Sequence, residues 1–355
     1  MNSKSQLQTL GRRQRVFVAA FGKHPGWDDH IESLGLETAA LIETRRTLYL
    51  EGVGKNLDSG AWDQLSERHR IKSFHHAFVS ITGEGVVSGR MWSSLDGKGR
   101  SRYPMVVCAQ GVGTPLPQFL DVVDSGLESI EAQCRDAMTA SEVKGILEKA
   151  PTTLQDAIAS LDEKGTAGKK GEEASNLSLF ALIESTGMAE PREGLMRILY
   201  QIERDLSAYM QSSRAAKAER KQPKHFRVPA CGDNNRASFM LWIAILRSLL
   251  SGPVPLLLLR PIGYPWVDII VGEAKAPQLY CLRTTLEAIP LVSDVPYNLG
   301  ASFRERTEAW LNAWESGALD LQQLLLGAGR NKHVSACTSP WKQRLDQIKA
   351  IFVKE

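Results

Sequence analysis

The sequence predicts an α/β protein with a mixed sheet and a helical insertion. Three observations carry this. Short apolar runs bounded by Gly and Pro turns fill residues 16–113. Apolar positions at helical spacing then dominate from about 118 to 220. Strand-like runs return from 225 onward, around one helix that is apolar almost all round.

Taken in order, Val16-Phe17-Val18-Ala19-Ala20-Phe21 reads as a buried strand that ends at Gly22. Leu34, Leu41 and Leu48 recur at helical spacing and predict an amphipathic helix over about 36–52. Phe78–Ile81 is a strand. Gly83-Glu84-Gly85 is a turn, and Val86–Ser93 and Tyr103–Gln110 are further strands. Val112–Pro117 is a Pro- and Gly-punctuated exit. Leu120, Val123, Leu127 and Ile130 share one helical face, and a second helix covers about 141–161. Residues 162–176 lack any large apolar side chain and read as a flexible linker. Leu195, Ile198, Ile202, Leu206 and Met210 mark a long helix to about Arg220.

His225–Val228 is the next strand. Asp233-Asn234-Asn235 supplies helix-start chemistry, because these side chains accept hydrogen bonds from free first-turn amides. Ala237–Leu250 is the apolar helix. Leu256–Leu259, Val267–Val271 and Leu279–Leu282 are strand candidates, and 301–355 is helical, with Trp310, Leu311 and Trp314 near one face. The organisation is therefore an α/β region (16–115), a helical insertion (116–224) and an α/β and helical region (225–355). Either one sheet draws strands from both halves or two α/β domains lie side by side. The first is favoured, because the 162–176 segment interrupts helices rather than separating complete folds.

The chain has 355 residues, 43% hydrophobic and 23% charged, an ordinary balance for a globular protein. A net charge of +3 gives no reason to expect nucleic acid as a partner. Five scattered cysteines, with no C-x-x-C pair, read as reduced thiols in a cytoplasmic setting. Residues 1–15 are polar and basic, with no apolar core of signal-peptide length. Phe239–Leu259 looks membranous, but Arg247, Gly252, Pro253 and Pro255 interrupt it, and no piece approaches the roughly 20 residues of a span.

Two polar turns stand out. Gly22-Lys23-His24-Pro25-Gly26-Trp27-Asp28-Asp29 follows the first strand, and Asp96-Gly97-Lys98-Gly99-Arg100-Ser101-Arg102-Tyr103-Pro104 lies between two later ones. A glycine after a strand lets the chain turn without a Cβ clash, and Pro25 stiffens the turn. The bland reading is a strand-to-helix turn whose aspartates cap the next helix. Gly97-x-Gly99 lacks the spacing of a phosphate loop and fits a hairpin connection better. Arg100 and Arg102 are expected to pair with Asp28, Asp29 or Asp96 if both turns share one sheet edge. His24, Asp28, Asp29 and His30 are metal-ligand types without diagnostic spacing, so no metal is assigned. His75-His76 start a strand and diverge to opposite faces. There is no G-x-S-x-G elbow. Cys231 at a helix start is a candidate thiolate, against the commoner reading of a structural cysteine. The basic run Arg214, Lys217, Arg220, Lys221, Lys224 and Arg227 is a candidate for acidic partners, or simply complements a helix C-terminus.

The two turns together resemble the N-terminal region of TagF, an accessory protein of type VI secretion, whose pattern runs G-K-x-P-x-x-x-D and then D-x-x-G-R-x-(F/Y)-P. Gly22, Lys23, Pro25 and Asp29 fit the first motif. Asp96, Gly99, Arg100, Tyr103 and Pro104 fit the second, with one extra residue before Tyr103. That insertion and Trp27-Asp28 are departures, and the resemblance covers only about 16–115. It implies an α/β/α sandwich, a cytoplasmic location and a non-enzymatic regulator without cofactor. It also implies that other secretion proteins, a forkhead-associated scaffold among them, are the partners. Gly22, Lys23, Pro25, Asp28, Asp29, Asp96, Gly99, Arg100, Tyr103 and Pro104 are then the interaction or folding surface. The rivals are a hydrolase or transferase using the Gly22–His30 cluster or Cys231, and a structural subunit of a secretion assembly.

Overall fold

The computed structural model describes residues 14–167, 183–210, 222–250 and 252–315. Eight strands form one sheet: β1 (Arg15–Lys23), β2 (His30–Leu34), β3 (His75–Thr82), β4 (Gly85–Ser93), β5 (Pro104–Val112), β6 (Lys224–Pro229), β7 (Leu256–Pro261) and β8 (Trp266–Val271). Their order is β2-β1-β5-β4-β3-β7-β8-β6. The first five come from the N-terminal half and the last three from the C-terminal half, joined by pairing of Phe78 with Leu259 and Val79 with Leu258.

Every neighbouring pair is antiparallel, which corrects the expected mixed sheet. The reason lies in the connections. Gly83-Glu84 joins β3 to β4 in two residues, and short loops also join β1 to β2 and β7 to β8, which forces opposite directions. Three connections join strands that are not neighbours, β2 to β3, β5 to β6 and β6 to β7; in the last, β8 is inserted between the two strands and pairs antiparallel with both.

Helices cover both faces, giving α/β/α layers. On one face lie α3 (Leu116–Asp136), α4 (Ala140–Ala167), α5 (Pro191–Met210), α6 (Asn235–Leu249) and α8 (Ala301–Glu315). On the other lie α1 (Ala39–Thr44), a π-helical stretch (Arg45–Gly54), α2 (Lys55–Asp58) and the short α7 (Ala276–Leu279). Strand alternation sorts the two cores: Val16, Val18 and Ala20 face the first, Ala19 and Phe21 the second. In α6 thirteen of fifteen residues are buried, which is why it is apolar all round. Burying each large side chain of that helix, such as Leu241 or Ile245, contributes about 1.5–3 kcal/mol. Among the described residues no helix is long and apolar enough to cross a membrane.

Several elements differ from expectation. Residues 36–52 are helical from Ala39 onward, but the second half winds as a π-helix that buries both Leu48 and Tyr49. Strand β2 carries no sequence signal, because only Ile31 of its five residues is fully buried and no alternation shows. Leu279–Leu282 is not a strand. Pro277 sits in the first turn of α7, and Tyr280–Arg283 continue as a 3₁₀ turn closed by the Thr284 N–H on Cys281 O (3.1 Å). Helix α4 runs to Ala167, so the start of the expected linker is helical, which its Asp, Glu and Lys residues tolerate. Residues 168–176, 211–220 and 316–355 lie outside the described residues.

Candidate functional site

Both polar turns emerge at the same end of the sheet, where β1, β5 and β4 are neighbours and Gly22, Met105 and Trp92 stand in register. Gly22 has φ +107°. A Cβ there would lie 2.1 Å from the Pro104 carbonyl oxygen, so only glycine lets β1 run this close to the start of β5. The turns are also stitched directly: the Gly97 N–H donates to Trp27 O (2.7 Å).

Lys23 is the hub. It is 3% exposed, and its Nζ donates to Asp96 Oδ2 at 2.5 Å and to Asp29 Oδ1 at 3.4 Å. Asp96 is fully buried and well supplied with donors. Its Oδ1 accepts from the N–H groups of Lys98 (3.0 Å) and Arg100 (2.9 Å), and its Oδ2 also accepts from Arg100 Nε (2.7 Å). Burial alone would raise the Asp96 pKa. The hydrogen bonds from Lys23 and Arg100 overcome that and hold the carboxyl well below its usual range. Gly99 turns this loop with φ +77° and donates its N–H to Asp96 O (2.8 Å).

From this buried pair the charges reach the surface. The Arg100 guanidinium donates to Asp28 O (2.8 Å) and lies 3.3 Å from Asp29 Oδ1. The Asp29 and Arg100 side chains are 67% and 51% exposed. His30 borders them. Its Nδ1 hydrogen-bonds the Tyr49 hydroxyl (2.6 Å), its Nε2 lies 3.5 Å from Asp29, and its ring meets Tyr103 edge-on at 4.9 Å. Burial, then the nearby Lys23 charge, lower the His30 pKa despite Asp29. Burial raises that of Tyr49.

The rest of the first turn is structural. His24 Nδ1 accepts from the Gly26 N–H (3.0 Å), so Nε2 carries the proton and donates to Cys134 O (2.8 Å) at the end of α3. Gly26 lies flush against the start of α4: a Cβ would meet Ala140 N at 2.4 Å. Pro25 and Trp27 complete this wedge, with the Trp27 ring edge-on to His24.

Neither Asp28 nor Asp29 caps a helix. They lead into β2, and Thr38 caps α1 instead. Arg102 pairs with Asp63 (3.6 Å) rather than with Asp28, Asp29 or Asp96. His75 and His76 do diverge: His75 Nε2 reaches Glu131 (3.1 Å), while His76 is buried and its pKa is lowered by that burial to about 3. Cys231 is 2% exposed and burial raises its pKa, so the thiol rather than the thiolate is favoured there. Arg227, read as part of a basic surface run, lies buried in β6. Arg214, Lys217, Arg220 and Lys221 of that run lie outside the described residues.

Sequence reasoning missed two things. One is Tyr49, brought to His30 by the π-helix. The other is a buried ionic cluster in the C-terminal half. Arg227 donates through Nε and NH2 to Asp268 (2.8 and 2.9 Å), its register partner, and to five acceptors on Cys281, Thr284, Thr285 and Ile289. His225 also bonds Asp268 (2.8 Å). His225, Asp268 and Cys281 bring ligand atoms within 4.8 Å of one another. A permanent cation already neutralises that carboxylate, so the group reads as a staple for residues 281–289 rather than a metal centre. The signal was present: a lone Arg or Asp inside an apolar strand implies a buried partner. A cleft of about 700 Å³ between α3 and α4, floored by Ile130 and Leu154, includes no residue of either motif.

No protein-family model matches the chain, and no curated protein does. Among solved structures the chain is similar to PA0076 from Pseudomonas aeruginosa PAO1, with 20% identity and a TM-score of 0.30. The match covers 38% of this chain and 62% of that one, under two thirds of its length, and a likeness this slight carries no argument about fold or function.

Proposed function

We propose that this chain is a non-enzymatic protein-interaction module, a TagF-like regulator that acts after translation on a type VI, contractile secretion system in the cytoplasm. One observation supports the reading above others. The residues that carry the resemblance converge: Lys23 of the first turn is buried against Asp96 of the second at 2.5 Å. That pair holds Asp29 and Arg100 at the surface in fixed positions. A rigid, charged corner with mixed signs favours register and selectivity in a protein contact over raw affinity. The partners on this reading are other secretion proteins, with a forkhead-associated scaffold as one candidate.

The test is cross-linking and affinity purification from the native host, run beside a secretion assay. Wild-type protein is expected to recover sheath, baseplate, membrane-complex or scaffold components. Arg100→Glu is expected to abolish that recovery while the purified protein keeps its far-UV circular dichroism. Recovery of no secretion component, with secretion unaltered by deletion or overexpression, would overturn the proposal.

A further inference from the structure

Three arginines in the sheet are each under 5% exposed: Arg90, Arg227 and Arg260. Arg227 has Asp268. Arg90 has Asp124, Glu128 and Glu131 at 3.4–3.6 Å. Among the described residues no carboxylate lies within 4 Å of Arg260, although it is 1% exposed. Its NH1 donates to Asn235 Oδ1 (2.7 Å) and its NH2 to Gly232 O (2.5 Å), both neutral acceptors, while the buried Nε has no acceptor.

Asn235 opens α6, a helix of fifteen residues, and Gly232 lies in the turn just before it. Arg260 therefore sits at the positive end of a helix dipole, and Arg90 adds further repulsion. Burial, the largest influence, already pulls its pKa down. The nearest carboxylates act at a distance: Asp124 through the Asn235 amide (3.3 Å), and exposed Asp233. The first-turn amides are only half used. Ala237 N–H reaches Asn234 Oδ1 and Ser238 N–H reaches Asn234 O, whereas those of Asn235 and Arg236 have no acceptor among the described residues. Free amides, a helix N-terminus and a buried guanidinium with no carboxylate in contact form the standard chemistry of an anion site.

We propose that the start of α6 with Arg260 is a binding site for a small oxyanion, a phosphate or a carboxylate. The anion takes Arg260 side-on through Nε and NH2, as Asp268 takes Arg227, and displaces the Gly232 carbonyl from NH2. It accepts the Asn235 and Arg236 amides as well. Entry is through the turn of Gly232, Asp233 and Asn234, all exposed. Gly232 has φ +48°, and a Cβ there would meet nothing closer than Ser185 O at 4.0 Å. Arg236, 24% exposed and paired with Asp121, stands beside the entrance.

The experiment titrates the full chain with inorganic phosphate and, separately, with acetate, at ionic strength held constant with chloride. Backbone amide shifts and the thermal midpoint are followed. Expected is saturable binding of at least one anion, with the largest shifts at residues 232–237. Tighter binding of phosphate points to a phosphorylated ligand, and tighter binding of acetate to a carboxylate. Arg260→Lys should weaken binding at least tenfold, and Lys98→Ala, an exposed cation on the distant corner, should leave it unchanged. If Arg260→Lys does not fold, the wild-type titration still decides. Non-saturating shifts, or saturable shifts that leave residues 232–237 unmoved, overturn the proposal.

Discussion

The Lys23–Asp96 corner and the Arg227–Asp268 pair are both buried cation–carboxylate contacts in one sheet, yet they do different things. Arg227 makes all its hydrogen bonds inward, to Asp268 and to the carbonyls and the Thr284 hydroxyl of a neighbouring loop. Lys23 and Asp96 are as well buried, but their network continues through Asp29 and Arg100 into solvent. Burial of an ion pair is therefore silent about function. What separates a staple from a presented surface is whether the pairing ends inside or carries on outward.

The largest effect expected is at Arg227. Arg227→Met leaves Asp268 buried beside His225 alone and should destabilise the fold by about 3–5 kcal/mol in urea unfolding. The double variant Arg227→Met with Asp268→Leu should recover most of that, because no unpaired charge remains. If the single variant cost less than the double, the staple reading would fail. Lys23→Met should cost less than Arg227→Met, since Arg100 and two backbone amides still hold Asp96.

The two glycines of the corner give the next effect. Gly99 has a positive φ, and a Cβ added there would find nothing within 4 Å, so Gly99→Ala should cost only the left-handed penalty, about 1–2 kcal/mol. Gly22→Ala adds a 2.1 Å contact with backbone oxygen and must shift β1 against β5. It should cost more and broaden the amide spectrum of both turns. Equal losses would mean the close approach at Pro104 is not a constraint.

Acid should distinguish the regions more finely. The folded-state pKa of Asp96 is depressed, so the unfolded chain binds its proton first. Stability from this group is complete above about pH 4, the unfolded carboxylate range, and is lost as pH falls through the lower folded value. Asp96→Asn should be less stable than wild type at pH 7 and flatter between about pH 4 and 2. A parallel pH profile would show that Asp96 gains nothing from its partners.

Much of this was legible beforehand, for identifiable reasons. Glycine, proline and charge in two turns flanked by apolar runs marked where the chain leaves the sheet, and the unbroken apolar run 16–21 marked a buried strand, but with no polar position in it the face each residue meets came only from the two cores. The antiparallel sense of the sheet was written in the two-residue Gly83-Glu84 loop, but strand order across the β3–β7 junction depends on contacts about 180 residues apart in the chain. Strand β2 was hidden because a short edge strand needs few apolar residues. Tyr49 was hidden because a π-helix changes the period on which helical reading depends. The partner of Arg227 could be anticipated in kind, as a carboxylate, but not by position.

The smallest effect belongs to the exposed rim. Asp29→Asn should not move the urea midpoint measurably, since the carboxylate is solvated and its contacts to Lys23, Arg100 and His30 span 3.3–3.5 Å. Its influence should appear on His30. Burial and Lys23 lower that imidazole's pKa, and Asp29 is the main group that raises it. Removing the negative charge leaves Lys23 and Arg100 unopposed, so the His30 pKa should fall further in an NMR titration. At pH 7 His30 stays neutral in both proteins, and the Tyr49 hydrogen bond should persist. A rise, or no change, would mean that Asp29 points away from the corner in solution, and with it would go the continuous path from buried pair to surface that sets this region apart from the Arg227 staple.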